Sequence, residues 1–225
     1  MQHTFSILKN KYMEMSKPVK AAFWFTVCNF LQRGISMITT PIFTRMLSTS
    51  EYGLYSTYLS WENVLLMVVT LSLYKAIMNL YVKYDNQEKV LSAVCGLELV
   101  LSLLWLSIGF VFRKPIADLL QLPVDLVYCL FVSFIFQAVF QCWSLYKRYV
   151  YDYRTLILTT LISTAGSAIL GVVAVAFVSP TAEARVISST FVTAVIGIIL
   201  YITVFKNGKT FFDKNVWIFS LGFCV

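Results

Sequence analysis

The chain has 225 residues, 59% of them hydrophobic, with only 13% charged, where soluble domains carry about a quarter; an ordinary soluble enzyme is excluded. A mean hydropathy of +0.76 suits about six bilayer-crossing helices of about 20 residues each and leaves only short loops between them. The net charge of +7 does not point to nucleic acid, because the basic residues sit in connectors between apolar runs and form no patch with interleaved aromatics.

The first twenty residues hold Lys9, Lys11, Glu14, Lys17 and Lys20 before any long apolar core, which argues against a cleaved signal peptide and for a charged tail over 1–20. Apolar runs of membrane length then follow at 21–43, 54–76, 90–112, 124–145, 155–178 and 186–205. They predict an all-α, polytopic membrane protein whose six-helix lobe covers 21–205. A seventh run begins at Asn215 and stops at Val225, about half of what a bilayer requires at about 1.5 Å per residue. On this reading 206–225 is a connector and the start of a seventh helix, and the chain is a fragment or a truncated frame.

Connector charge sets the orientation. On the N-terminal side lie Lys9, Lys11, Lys17 and Lys20, then Lys75, Lys83 and Lys89, then Lys147, Arg148 and Arg154, and finally Lys206, Lys209 and Lys214. The alternate connectors hold Arg45, Arg113, Lys114 and Arg185. Thirteen against four is a strong positive-inside bias, which places the N-terminus in the cytoplasm. Tyr52, Tyr55, Tyr146, Tyr149 and Tyr151 near span ends suit interfacial belts. The five cysteines, Cys28, Cys95, Cys129, Cys142 and Cys224, fall in apolar runs, and His3 is the single histidine. That pattern predicts inert thiols, with no metal and no cofactor.

The first span carries a polar stripe. At about 100° per residue, Thr26, Gln32, Arg33, Ser36, Thr40 and Thr44 fall within about 60° of Asn29. Arg33 lies near the middle of the span, where facing lipid costs about 2.5–3.5 kcal/mol, so the stripe is expected to face protein or a wet cavity. The second span adds Ser56, Ser60, Asn63 and Thr70 with Glu62 on the flank; the fourth adds Ser133, Gln137, Gln141 and Ser144 and ends in Arg148. Three polar faces imply a shared cavity. Glu62 and Glu98 lie near the depth of Arg33 and are candidates for ion coupling, while Lys75 is expected at the cytoplasmic mouth.

Plainer readings exist for each of these residues. Arg33 and Glu62 can neutralise each other as a structural pair, and Gln137, Gln141 and Glu98 can serve helix packing. Ser163, Ser167 and Gly171, like Ser189, Thr193 and Gly197, have the spacing of close helix–helix seams. Pro41 removes a backbone hydrogen bond near the outer end of the first span and permits bending there.

The stretch NFLQRGISMITTPIFTRMLSTSEYGLY, Asn29 to Tyr55, resembles the N-terminal signature of polysaccharide-exporting flippases of the MOP superfamily (multidrug/oligosaccharidyl-lipid/polysaccharide exporters). The resemblance rests on a polar and a basic residue before Gly34, on Thr40–Pro41, on Arg45 and Leu47, and on Glu51, Tyr52 and Gly53. It covers about the first eighty residues, and hydropathy alone carries the rest. It implies two six-helix lobes that face each other across a central cavity and move lipid-linked oligosaccharide by alternating access, in a bacterial cytoplasmic membrane. This chain would be the first lobe. Arg33 would bind the anionic diphosphate of a polyprenyl carrier, with Asn29, Gln32, Ser36, Asn63, Gln137 and Gln141 lining the substrate cavity.

Two other readings compete. A cation-coupled drug exporter of the same superfamily would use Glu62 or Glu98 to carry H+ or Na+. A non-transporting scaffold for polysaccharide assembly proteins would tolerate changes on the polar faces. No Ser/His/Asp or Cys/His arrangement, HExxH motif or phosphate-cradling glycine run supports an enzyme. A lobe alone leaves one wall of the cavity unmatched, so transport by this chain is expected to need a partner that supplies the second lobe.

Overall fold

Local signals set most helix starts. Pro18 opens the first helix, α1 (Lys17–Met46), at a position where its missing N–H costs nothing. Ser48 accepts from the Glu51 N–H at 3.2 Å to start α2 (Thr49–Val69), and Asn86 accepts from the Lys89 N–H at 3.0 Å to start α4 (Gln87–Val111). Asp152 caps α7 (Tyr153–Phe177) and Thr181 caps α8 (Ala182–Gly208) in the same way. The remaining helices are α3 (Ala76–Lys83), α5 (Arg113–Leu120), α6 (Val124–Tyr149) and α9 (Lys214–Gly222). These come from a computed structural model that describes residues 16–222. Residues 1–15, with His3, Lys9, Lys11 and Glu14, and residues 223–225, with Cys224, lie outside the described residues.

The protein is all-α and polytopic. Four described helices, α4, α6, α7 and α8, are long and apolar enough to cross a membrane, and α2 with α3 makes a fifth if the bent pair counts as one span. The remaining expected span, the first, is α1. Its 30 residues extend about 45 Å at 1.5 Å per residue, ample for a bilayer, but the polar stripe keeps it outside the apolar set. It passes Pro41 without interruption. Hydroxyls cluster around the proline: Thr39 and Thr40 both donate to the Ser36 carbonyl, and Thr44 donates to that of Pro41.

The second expected span, 54–76, is not one helix. It breaks at Thr70–Ser72, where Leu71 and Ser72 adopt positive φ (49° and 52°), passes through a short 3-10 turn at Leu73–Lys75 and resumes as α3, bent by 55°. No glycine or proline marks the site. Thr70 sustains it, its hydroxyl donating to the Leu66 carbonyl at 2.8 Å and accepting from the Ser72 N–H at 3.3 Å. The connector expected at 112–124 also folds, as the short helix α5, and Trp61 pins it by donating to the Leu120 carbonyl at 3.1 Å.

Helix α6 runs through both main cores. At one end Ile77, Leu80, Val94, Cys95, Val139, Cys142, Leu200 and Val216 pack together from α3, α4, α6, α8 and α9. At the other, Tyr58, Val69, Leu120, Leu126, Leu130 and Phe134 join α2, α5 and α6. Helix α1 rests chiefly on α7 and barely touches α2, so α1 and α2 splay apart beyond the turn that joins them. Cys28, Cys95 and Cys142 are buried free thiols, and Cys129 is half-buried.

Candidate functional site: a polar row through the bundle

Helices α2, α6, α7 and α8 enclose a cavity of about 480 Å³ lined by Glu62, Ser133, Gln137, Gln141 and Arg185, among others. Its centre is a carboxylate with fixed donors: Glu62 Oε1 accepts from Gln137 Nε2 at 2.8 Å and from Ser133 Oγ at 3.1 Å. The donors sit one turn apart on α6, so the period of that helix aims both at the same oxygen. The row continues along α6. Gln141 lines this cavity and an adjoining pocket of about 270 Å³ with Tyr74, Ser144 and Arg148. The polar face read along the fourth span is therefore a continuous inner surface from mid-helix to the α6 C-terminus. The Gln141 Oε1 atom is buried there without a hydrogen-bond partner among the described residues.

Arg185 is the cation of this cavity. It is 8% exposed, donates through Nη1 to the Ser167 carbonyl at 3.3 Å, and holds its guanidinium 4.6 Å from the Phe43 ring and 5.3 Å from Tyr55. Desolvated contacts of this kind contribute about 2 kcal/mol. Glu62 lies within its electrostatic reach, but the two do not touch, so the cavity is close to neutral overall. Gly171 makes room for the guanidinium: a Cβ there would lie 2.8 Å from Nη1. Arg185 counted among the outer connector charges in the sequence. With Ser189 and Thr193 it forms an i, i+4, i+8 series on one face of α8, and that spacing was the available signal.

The seams expected of Ser163, Ser189 and Thr193 are half cavity. Those three residues line the space, while Gly171 and Gly197 provide the close approach. A Cβ on Gly197 would meet the Phe136 ring.

Arg33 lies elsewhere. With Asn29, Gln32, Ser36 and Thr164 it lines an open groove of about 560 Å³ between α1 and α7, and Gln32 Nε2 donates to Thr164 Oγ1 at 3.2 Å. Adjacent residues of α7, Ser163 and Thr164, face the cavity and the groove respectively. Arg33 forms no ion pair within 4 Å among the described residues, so the pairing with Glu62 considered from the sequence does not occur. The polar faces of the first and fourth spans form two neighbouring sites instead of one, and of the second span's polar residues only Glu62 joins them.

The remaining candidates fall outside both. Asn63 is exposed and donates to the Leu59 carbonyl at 2.7 Å; Ser56 and Ser60 share its outward face. Lys75 is exposed at the α2–α3 bend, with Nζ 5.9 Å from the Tyr74 ring. Glu98, on α4, is 1% exposed, and its Oε2 has no hydrogen-bond partner among the described residues. Glu51 of the E-Y-G segment accepts from the Ala182 N–H at 2.6 Å, a carboxylate at the α8 N-terminus that ties α2 to α8.

The family model described as polysaccharide biosynthesis protein matches residues 19–223. No curated protein and no solved structure matches the chain.

Proposed function

The chain belongs to the polysaccharide biosynthesis protein family, and we propose that it forms one lobe of a flippase that moves polyprenyl-diphosphate-linked oligosaccharide across the bacterial cytoplasmic membrane by alternating access. The observation that carries this reading is the groove around Arg33. A guanidinium at the middle of a membrane-length helix, flanked by Asn29, Gln32 and Ser36 and with no carboxylate at ion-pair distance among the described residues, suits a diphosphate that cannot cross hydrocarbon unaided. The near-neutral row of Glu62, Gln137 and Gln141 suits sugar hydroxyls, which need donors and acceptors and no net charge. The polar faces of α1 and of Ser56, Ser60 and Asn63 then line the side turned to a second lobe.

The N-terminus is cytoplasmic in this proposal, in keeping with the connector charges. Since Arg185 is buried in the bundle, the outer connectors retain only Arg45, Arg113 and Lys114, which strengthens the positive-inside bias. The protein carries its lipid-linked substrate without altering covalent bonds and is not an enzyme.

Arg33→Ala should lower surface polysaccharide by about ten- to a hundredfold, the expected loss of a charge-assisted contact, while membrane abundance stays unchanged. Normal export from that variant removes the binding role of Arg33. Glu62 supports a second reading, a cation-coupled exporter, because a half-buried carboxylate with two fixed donors is suited to exchanging H+ or Na+. Efflux of lipophilic cations that Glu62→Gln abolishes would favour it; efflux indifferent to that change would eliminate it.

A further inference from the structure

A third recess lies on the opposite flank of α1 from Arg33. Trp24, Tyr153, Arg154, Ile157 and Leu158 enclose about 270 Å³ between α1 and α7. The Trp24 and Tyr153 rings are parallel to within 1°, with centroids 6.4 Å apart. Trp24 and Arg33 are nine residues apart, about two and a half turns, and so point in opposite directions from α1. The recess therefore does not open into the Arg33 groove.

Both walls run from polar or charged residues to apolar ones along the helix axes. On α1, Lys17 and Lys20 stand within about 40° of Trp24 and nearer the helix start, and Leu31, 45% exposed, follows deeper on that face. On α7, Tyr153 and Arg154 come first, then Ile157 and Leu158, the latter 61% exposed. The two helices run in the same direction, as the Trp24–Tyr153 and Gln32–Thr164 contacts require. The α1 face beside the recess thus passes from cationic through aromatic to apolar over about four turns, and the α7 wall from Tyr153 and Arg154 to Ile157 and Leu158 over about one and a half, which matches the polar-to-apolar order of a phospholipid's phosphate, glycerol and acyl chain.

Charge selects among phospholipids. The acid beside the recess, Asp152, is already engaged: Lys147 Nζ lies 2.7 Å from its Oδ2, and Thr155 donates to Oδ1. Burial opposes its ionisation, but the Lys147 and Thr155 hydrogen bonds and the Lys147 charge prevail and hold its carboxyl below the usual carboxylate range. Arg154 forms no ion pair among the described residues, and Arg148 adds a further exposed guanidinium 5.3 Å from the Phe25 ring.

We infer that the recess between α1 and α7 binds an anionic glycerophospholipid of the surrounding bilayer, with Arg154 at the phosphate, Trp24 and Tyr153 at the glycerol level and Ile157 and Leu158 against an acyl chain. Tethering α1 in this way steadies the helix that carries Arg33 at the end where it meets α7.

The test is native mass spectrometry of the full chain in mild detergent, titrated with dioleoylphosphatidylglycerol or dioleoylphosphatidylcholine. The phosphatidylglycerol should be retained preferentially, and Arg154→Gln should weaken it about five-fold. Arg113→Gln, a basic change in a different connector, should leave it unchanged, and Arg33→Ala should as well, which separates this site from the transport reading. Equal retention of the two lipids, or equal behaviour of Arg154→Gln and Arg113→Gln, overturns the assignment. Displacement of the phosphatidylglycerol by undecaprenyl diphosphate at equimolar concentration also overturns it, by making the recess a substrate site. Arg154 is exposed, so its substitution leaves the packed core intact.

Discussion

Glu62 shows how a carboxylate is kept inside the bundle. Removing one of its two donors leaves the oxygen short of a partner, and an unsatisfied buried polar group costs about 1–3 kcal/mol. Gln137→Leu should therefore lower the thermal stability of the detergent-solubilised protein by about that amount, although leucine is more apolar than glutamine; a rise in melting temperature would mean that Glu62 finds water instead. Glu62, Gln137 and Gln141 were readable as members of polar helix faces, because period alone puts them there. Arg185 was not, since its position one residue ahead of an apolar run makes it look like a connector charge. What draws it inward is a slot formed by Phe43, Tyr55 and Gly171, three residues on other helices.

Among the elements, glycines separate packing positions from open ones. A Cβ at Gly197 would press on the Phe136 side chain of α6, whereas one at Gly53 meets nothing within 4 Å. Gly197→Ala should destabilise by about 1–3 kcal/mol through overpacking. Gly53→Ala should be neutral or stabilising by up to about 1 kcal/mol, as helix propensity dictates. Melting temperatures of the two variants in one detergent decide the matter, and the reverse order would contradict the helix contacts described. Ser48, Asn86, Asp152 and Thr181 each accept from an N–H three residues on, so these helices start two to five residues before the apolar runs that marked them in the sequence. The break at Thr70–Ser72 was not legible, for it lacks glycine and proline and runs through an apolar stretch. It depends on one threonine hydroxyl serving two backbone groups and on Val69, Leu73 and Ala76 being buried on either side of the bend.

At the scale of the molecule, the segment after α8 is docked and not loose. Ser92 donates to the Thr210 carbonyl at 2.6 Å, Trp217 to that of Ala93 at 2.8 Å, and Lys89 lies 3.4 Å from Asp213; Gly96 allows the Phe211 backbone to approach α4. Helix α9 is thereby held to the same body as the bundle. Burial works against ionised Asp213, but hydrogen bonds from the Val216 and Asn215 N–H groups and from Lys89 outweigh it and keep its carboxyl below the usual range. A lowered folded value stabilises above the ordinary carboxylate pKa and loses that contribution as pH falls through the folded one. Asp213→Asn should thus lower the melting temperature at neutral pH, with the deficit shrinking below about pH 4; a deficit independent of pH would assign it to packing. By itself the sequence determined the all-α membrane class, the polar faces and the family, because composition and period act over a few turns of chain. Only the tertiary structure decided that Arg33 and Glu62 belong to separate sites, that Arg185 enters the bundle and that the second span bends. Those outcomes depend on how each helix is rotated against its neighbours, which is set by side-chain fit between different helices, as with Gln32 and Thr164 or Glu62 and Gln137.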